Sequence, residues 1–219
     1  MKKVKAFLQG LLGKIIRGFI RLCLWIAFRP KVTYVSDAAR EALKQPCVLI
    51  SNHVRGFDCP VLMTAFPTLS IWNIMARDMV EGSKALQLFL PYFNTITVDR
   101  SGSSMSMSWL RDATACIKGG NTVFIAPEGY CHFDRVIREF KPGFAMLAAM
   151  AGVKAVPVYN DAEYHILFGR RCRILVGEPL EITPAPAGMR EKRLLEESAE
   201  AFEAVQSLEK QLTGSNRHE

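Results

Sequence analysis

Short apolar runs rich in β-branched residues alternate along this chain with stretches of helical spacing, and that alternation restricts the fold to an α/β sheet with helices packed on its faces. Candidate strands are Val48 to Ile50, Ile71 to Met75, Thr95 to Asp99, Thr122 to Ala126, Ala155 to Tyr159 and Arg173 to Val176. Between them the pattern predicts helices over Pro60 to Ala65, Ser83 to Leu90, Ser104 to Lys118 with Gly119 just past its end, and Pro142 to Ala151. The tail from Met189 to Leu212 has apolar residues at helical intervals among Glu and Lys, and reads as an amphipathic surface helix. With 219 residues, 49% of them hydrophobic, the chain fits one domain with a sizeable core. The expected architecture is α/β: a single domain with a mixed, largely parallel sheet flanked by helices. Its one linker-like stretch is Thr183-Pro184-Ala185-Pro186-Ala187-Gly188.

Charge marks off an N-terminal arm. Residues 1–31 hold eight of the 28 basic residues and none of the 21 acids, so the net +7 of the chain leaves −1 for the rest. The division is therefore an arm of residues 1–31 and an α/β domain of residues 32–219. Between the arm's charges lie Leu12, Ile15, Phe19, Leu22, Trp25 and Ile26, too much apolar surface for a solvated tail on nucleic acid, which is not an expected partner. Lys14, Arg17 and Arg21 recur at helical spacing and share one face. The pattern predicts a basic amphipathic helix at a bilayer surface, with about 1 kcal/mol from each basic residue near an anionic leaflet. The same three residues interrupt the apolar run short of the ~18–20 residues that a spanning helix needs. No small-x-small cleavage site precedes Arg29-Pro30, which speaks against a secretory signal. The alternatives are a buried hairpin of core helices and a signal or signal-anchor. The expected location is the cytoplasmic face of the cell membrane, peripheral or monotopic.

The six cysteines, Cys23, Cys47, Cys59, Cys116, Cys131 and Cys172, contain no C-x-x-C pair, so neither a metal site nor a disulfide framework is expected, and no cofactor is implied. Cys131-His132 is a nucleophile and base in composition, but adjacent side chains rarely face each other.

The chemistry concentrates in Ser51-Asn52-His53-Val54-Arg55-Gly56-Phe57-Asp58, which follows a candidate strand and precedes a candidate helix. A neutral imidazole takes up a proton near pH 7, and a carboxylate on its other nitrogen fixes the tautomer and stabilises the charged form. Loops at strand ends are where α/β folds carry their chemistry. The competing reading makes Asp58, two residues before Pro60, a helix N-cap and His53 an ordinary loop histidine.

Three further blocks follow in order: Val98-Asp99-Arg100; Pro127-Glu128-Gly129 with Phe140-Lys141-Pro142-Gly143; and Val156-Pro157-Val158. Together with Asn52-His53-x4-Asp58, this series resembles the glycerolipid acyltransferases of the 1-acylglycerol-3-phosphate acyltransferase family, over roughly residues 47–160. The resemblance implies an O-acyltransferase that moves a fatty acyl group from acyl-CoA or acyl carrier protein to the hydroxyl of a lysolipid, most simply 1-acylglycerol-3-phosphate, in phospholipid synthesis. It implies His53 and Asp58 as catalytic base and orienter. Substrate contacts would come from Arg100, Glu128, Gly129, Lys141 and Gly143. Arg suits a phosphate as a bidentate fork and Lys as a compact charge. Taken alone, the cations also read as a solvated strand end and a helix-surface lysine, and the glycines as turn residues. Where the family has Glu-Gly-Thr-Arg this chain has Glu128-Gly129-Tyr130-Cys131, which removes one candidate phosphate ligand and leaves Arg135 or Arg138 as substitutes. The alternative functions are a lipid-binding protein on the same fold without turnover, and an acyl-thioester hydrolase.

Overall fold

The computed structural model describes residues 2–99, 107–163, 165–183 and 189–214. Helix α1 (Lys2–Phe28) leads into strand β1 (Lys31–Tyr34). There follow α2 (Asp37–Ala42), β2 (Val48–Ser51), α3 (Asp58–Ala65), β3 (Ile71–Ala76), α4 (Arg77–Glu81), α5 (Lys84–Phe89) and β4 (Thr95–Val98). The second half holds α6 (Ser108–Lys118), β5 (Thr122–Ile125), α7 (Gly143–Ala151), β6 (Ala155–Asn160), β7 (Arg173–Val176) and α8 (Arg190–Gly214).

The seven strands form one sheet in the order β1-β7-β6-β2-β5-β3-β4. Every pairing is parallel except β6 with β7, so the expected mixed, largely parallel sheet is what the chain builds. Alternate residues of each central strand enter opposite layers, as the two-residue period of a strand requires. Val48 and Ile50 of β2 pack with Leu110 of α6, Phe144 of α7 and Val205 of α8 on one face. Leu49 packs with Ala39 of α2, Val61 and Leu62 of α3, and Phe28 on the other. At their carboxyl ends β6, β2 and β5 lie side by side, which brings Asn160, the loop after Ser51 and the loop after Ile125 to one edge of the sheet.

The charged helix differs from its expected posture. Lys14, Arg17 and Arg21 do share a face, but that face lines a cavity of about 420 Å³ shared with Ser70, Tyr92 and Asn94. Arg21 donates to the carbonyls of Met63, Phe66 and Pro67 at 2.9, 3.4 and 3.4 Å, closing the C-terminal end of α3. The outward face is the apolar one: Leu12, Ile15, Phe19, Leu22 and Ile26 are all exposed. Among the described residues no helix is long and apolar enough to cross a membrane. Lys31, at the arm's expected end, is already the first residue of a strand, paired with Arg173.

Candidate active site

β2 ends at Ser51, and the chain stays in register with β6 for one more residue by side-chain means. Asn52 donates from Nδ2 to the Asn160 carbonyl and accepts from the Asn160 N–H, both at 2.9 Å, while Ser51 Oγ donates to Asn52 Oδ1 at 3.0 Å. All three residues are buried, so the exchange satisfies polar groups that have no access to water. This pins the backbone just ahead of His53.

The loop then folds around Asp58. Oδ2 of this carboxylate accepts from the N–H of Val54 at 2.8 Å, the N–H of Arg55 at 2.7 Å and Nδ1 of His53 at 3.0 Å. Oδ1 accepts from Nδ2 of Asn160 at 2.9 Å. Asn160 is oriented in turn, because its Oδ1 accepts from the Ala162 N–H at 2.9 Å and from Cys172 Sγ at 3.0 Å. Asp58 is fully buried, and a buried carboxylate persists only where donors surround it, as four do here. Asp58 is not an N-cap: it is the first residue of α3, and the capping position belongs to Phe57, which makes no side-chain cap.

With its Nδ1–H given to Asp58, the neutral ring of His53 carries its lone pair on Nε2. The ring is 14% exposed, enough to meet a solute from one side. An imidazole held in this tautomer by a buried carboxylate is built to accept a proton and to bear the resulting charge.

Glu128 closes the site from β5. It is 3% exposed, and its two oxygens accept from the His53 N–H at 2.8 Å and the Arg138 N–H at 3.0 Å. Burial pushes its carboxyl up from the ordinary range, opposed by those two amides and by the neighbouring imidazoles of His132 and His53. Each of the two oxygens accepts a backbone N–H, so Glu128 fastens the β5 loop to His53. His132 reinforces this tie by donating its N–H to the His53 carbonyl at 2.8 Å.

The remaining candidates divide. Gly129 has φ +80°, so glycine is required by conformation, and a Cβ there would stand 2.8 Å from Lys141 Nζ, the movable end of a flexible side chain. The Lys141 N–H donates to the Pro127 carbonyl at 2.9 Å, and Nζ lies 5.0 Å from the centroid of the Tyr130 ring. Lys141 is therefore an exposed cation delivered to the rim of the Glu128 loop. Gly143 opens α7, where a Cβ would make ordinary contact with Trp109 at 3.5 Å, so packing does not demand glycine. Arg100 lies outside the described residues. Neither expected substitute for the family's arginine is unpaired: Arg135 binds Glu163 at 2.7 Å, and Arg138 binds Asp134. The Cys131 thiol is pushed up to about 11 by burial and then by Asp58 and Glu128, which removes it as a nucleophile near pH 7. The cavity along α1 belongs to other chemistry, since Ser70 and Asn94 stand at the starts of β3 and β4, the edge of the sheet opposite the dyad.

Sequence reasoning missed Asn160, and named His132 only as a neighbour of Cys131. Asn160 is detectable only as a polar residue ending an apolar strand, and His132 only by its place after the Glu-Gly block.

A mixed, largely parallel α/β sheet with a histidine–aspartate pair at the carboxyl ends of its central strands defines a class, and residues 29–160 match the family model described as Acyltransferase. The chain belongs to this acyltransferase family. It is 24% identical over 157 residues to a 1-acyl-sn-glycerol-3-phosphate acyltransferase of Pseudomonas aeruginosa, covering 68% of this chain and 57% of that one. It is 26% identical over 160 residues to an N-acylphosphatidylethanolamine synthase of Arabidopsis thaliana, covering 62% and 56%. With the human 1-acyl-sn-glycerol-3-phosphate acyltransferase beta the identity is 29% over 125 residues, 57% of this chain and 44% of that one. The chain thus spans about half the length of the curated relatives it matches. In fold it is similar to the crystal structure of the 1-acyl-sn-glycerophosphate (LPA) acyltransferase PlsC from Thermotoga maritima, with a TM-score of 0.59 and 20% identity over 92% of this chain and 83% of that chain.

Proposed function

We propose that this protein transfers a fatty acyl group from a thioester, acyl-CoA or acyl carrier protein, to the free hydroxyl of 1-acylglycerol-3-phosphate at a membrane surface, as a step of phospholipid synthesis. The observation that carries the reading is the 3.0 Å contact between His53 Nδ1 and the buried Asp58 carboxylate. Nε2 of His53 removes the hydroxyl proton as the oxygen attacks the thioester carbonyl. The C–S bond then breaks, and the leaving thiolate takes the proton back from the imidazolium. Asp58 fixes the tautomer and the charge, and no covalent acyl-enzyme forms. The amides of Val54 and Arg55 are engaged by Asp58, so stabilisation of the oxyanion falls to other donors. Lys141 supplies a cation for the acceptor's phosphate, and Arg100 is assigned the same task from the family pattern. The apolar outer face of α1 seats the protein on the cytoplasmic leaflet.

A specific observation favours a second reading of the acceptor. Cys131 replaces the family's arginine, and Arg135 and Arg138 are each paired with a carboxylate, which fits a lysolipid whose head group does not present a phosphate monoester.

The test is thiol release by the full-length protein from acyl-CoA or acyl carrier protein, with and without a panel of lysolipids. Lysolipid-dependent release is expected, and His53→Ala should lower turnover by about 10²–10⁴. Release without lysolipid would mark a hydrolase, and no release with any member would mark a binding protein.

A further inference from the structure

We propose that the hairpin spanning residues 165–170 is a second lipid-contacting element: a wedge whose tip, Ile166-Leu167-Phe168, enters the interface of an anionic lipid surface at the sheet edge that carries His53.

The three tip residues are apolar, consecutive and 61, 48 and 81% exposed. A loop tip with nothing to contact is polar or glycine-rich, and three adjacent large apolar side chains in water are a standing cost. They are not loosely held. The His165 N–H donates to the Arg170 carbonyl and the Phe168 N–H to the Ile166 carbonyl, both at 2.9 Å, which closes the hairpin. Leu167 has φ +70°, a left-handed conformation that a residue with a Cβ rarely adopts, and the turn thereby keeps its side chain on an exposed tip.

The hairpin is also fastened to the end of α1. The Leu167 N–H donates to the Ala27 carbonyl at 2.9 Å, the Arg29 guanidinium donates to the Gly169 carbonyl at 2.9 Å, and Arg171 Nε donates to the Arg29 carbonyl at 2.9 Å. Two consequences follow. First, the tip is held at the end of the helix whose last turns expose Leu22, Trp25 and Ile26, so an element remote in sequence adds its apolar surface at that end. Second, the base of the wedge is cationic. Arg170 is matched by Glu163, but Arg29 and Arg171 have no carboxylate partner among the described residues, and the exposed Lys31 follows Arg29 by two residues with its N–H bonded to the Cys172 carbonyl. An apolar tip above uncompensated cations is complementary to acyl chains above headgroup phosphates.

Position gives the wedge a use. Phe28, next to its docking point, lies 5.6 Å from Phe57 between ring centroids, and Phe57 directly precedes Asp58. A lipid acceptor arriving at this end of α1 would therefore be one aromatic contact from Phe57, the residue before Asp58.

The proposal builds on the reading of α1 as seated on a membrane, and the experiment separates the two. Full-length wild type, the triple variant Ile166→Ser/Leu167→Asn/Phe168→Ser and the helix variant Phe19→Gln/Leu22→Gln are sedimented with phosphatidylethanolamine–phosphatidylglycerol vesicles. Phe168→Trp is titrated with the same lipids brominated in the acyl chain. Thermal melting shows that each variant folds. The triple variant is expected to lose at least about tenfold in partitioning, because burying even one large apolar side chain contributes that much. Phe168→Trp is expected to gain quenching over the native tryptophans. Unchanged partitioning of the folded triple variant, together with an unquenched Trp at 168, overturns the wedge. If the helix variant alone loses binding, α1 is the anchor and the wedge is wrong. If the triple variant alone loses it, the wedge stands and the reading of α1 falls. A triple variant that binds vesicles normally but changes from oligomer to monomer reassigns the tip to self-association and also overturns the proposal.

Discussion

Replacing Asp58 with Asn keeps the size of the side chain and removes one acceptor, and the pattern of donors around it makes the consequence calculable. Oδ2 faces the N–H groups of Val54 and Arg55 and the ring nitrogen of His53, and Oδ1 faces the amide nitrogen of Asn160. An amide at position 58 has one oxygen and one NH₂, so its NH₂ must oppose donors on one side or the other. Rotating Asn160 offers no escape, since its Oδ1 already accepts from the Ala162 N–H and Cys172 Sγ, and the conflict would only move one residue along. One conflict leaves two buried polar groups unpaired at about 1–3 kcal/mol each. A deficit of about 3 kcal/mol in a chain of this size lowers the melting temperature by roughly 6–12 °C. The compensating variant is Asn160→Asp. In the double variant Asp58→Asn/Asn160→Asp, the new amide donates to position 160, its oxygen accepts from the loop and the imidazole, and the new carboxylate accepts from Ala162 and Cys172. Thermal melts and urea titrations of the two single variants and the double are therefore expected to show strong coupling: each single variant is destabilised and the double returns most of the loss. Acyl transfer is not expected to return with it, because the negative charge has moved off the atom that contacts His53. Equal stability of wild type and Asp58→Asn would refute the donor pattern. Independent additive losses would refute the claim that Asn160 and Asp58 share one network.

Two further outcomes follow from the same site. Gly129→Ala should cost about 1–2 kcal/mol in urea titration through its left-handed backbone. That loss should persist with Lys141→Ala, since the flexible ammonium 2.8 Å from the new Cβ can move but φ +80° cannot. For Cys131, whose thiol is pushed up to about 11 by burial first, the folded value lies above the ordinary one. Its contribution to stability is complete below the ordinary value and is lost as the pH rises through about 11. Mapped by mass spectrometry, iodoacetamide labelling at Cys131 should therefore still climb about tenfold per pH unit at pH 9.5, where an ordinary thiol levels off. A plateau below pH 9 would show that the thiol is not shielded.

The strands that carry the site were legible because they are central: Val48–Ser51, Thr122–Ile125 and Ala155–Asn160 are buried on both faces and read as unbroken apolar runs. Strand Lys31–Tyr34 was not, because it lies at the sheet's edge, alternates exposed with half-buried residues and owes its existence to pairing with Arg173–Val176. The helix expected from Ser104 begins at Ser108 in the described residues. His53 and Asp58 could be read from five residues of spacing because one loop holds both. Asn160 donates to the same carboxylate from 102 residues away, and only the adjacency of β6 and β2 brings it there. The basic face of α1 was legible as a face but not in its direction. Helical periodicity fixes which residues lie together and is silent on which side the domain covers.

That direction bears on how the dyad is held. α1 grips α3 at both ends: Arg21 takes the carbonyls of Met63, Phe66 and Pro67 at the C-terminus, and Phe28 packs against Phe57 at the N-terminus. Asp58 is the first residue of α3, whereas His53 belongs to the end of β2 and is clamped to β5 by Glu128. The 3.0 Å contact between the two therefore joins the start of a helix seated on α1 to the end of a strand seated in the sheet, and the bonds from Val54, Arg55 and Asn160 to the same carboxylate hold it there. Asp58 is thus joined through α3 to α1, the helix whose apolar face points outward.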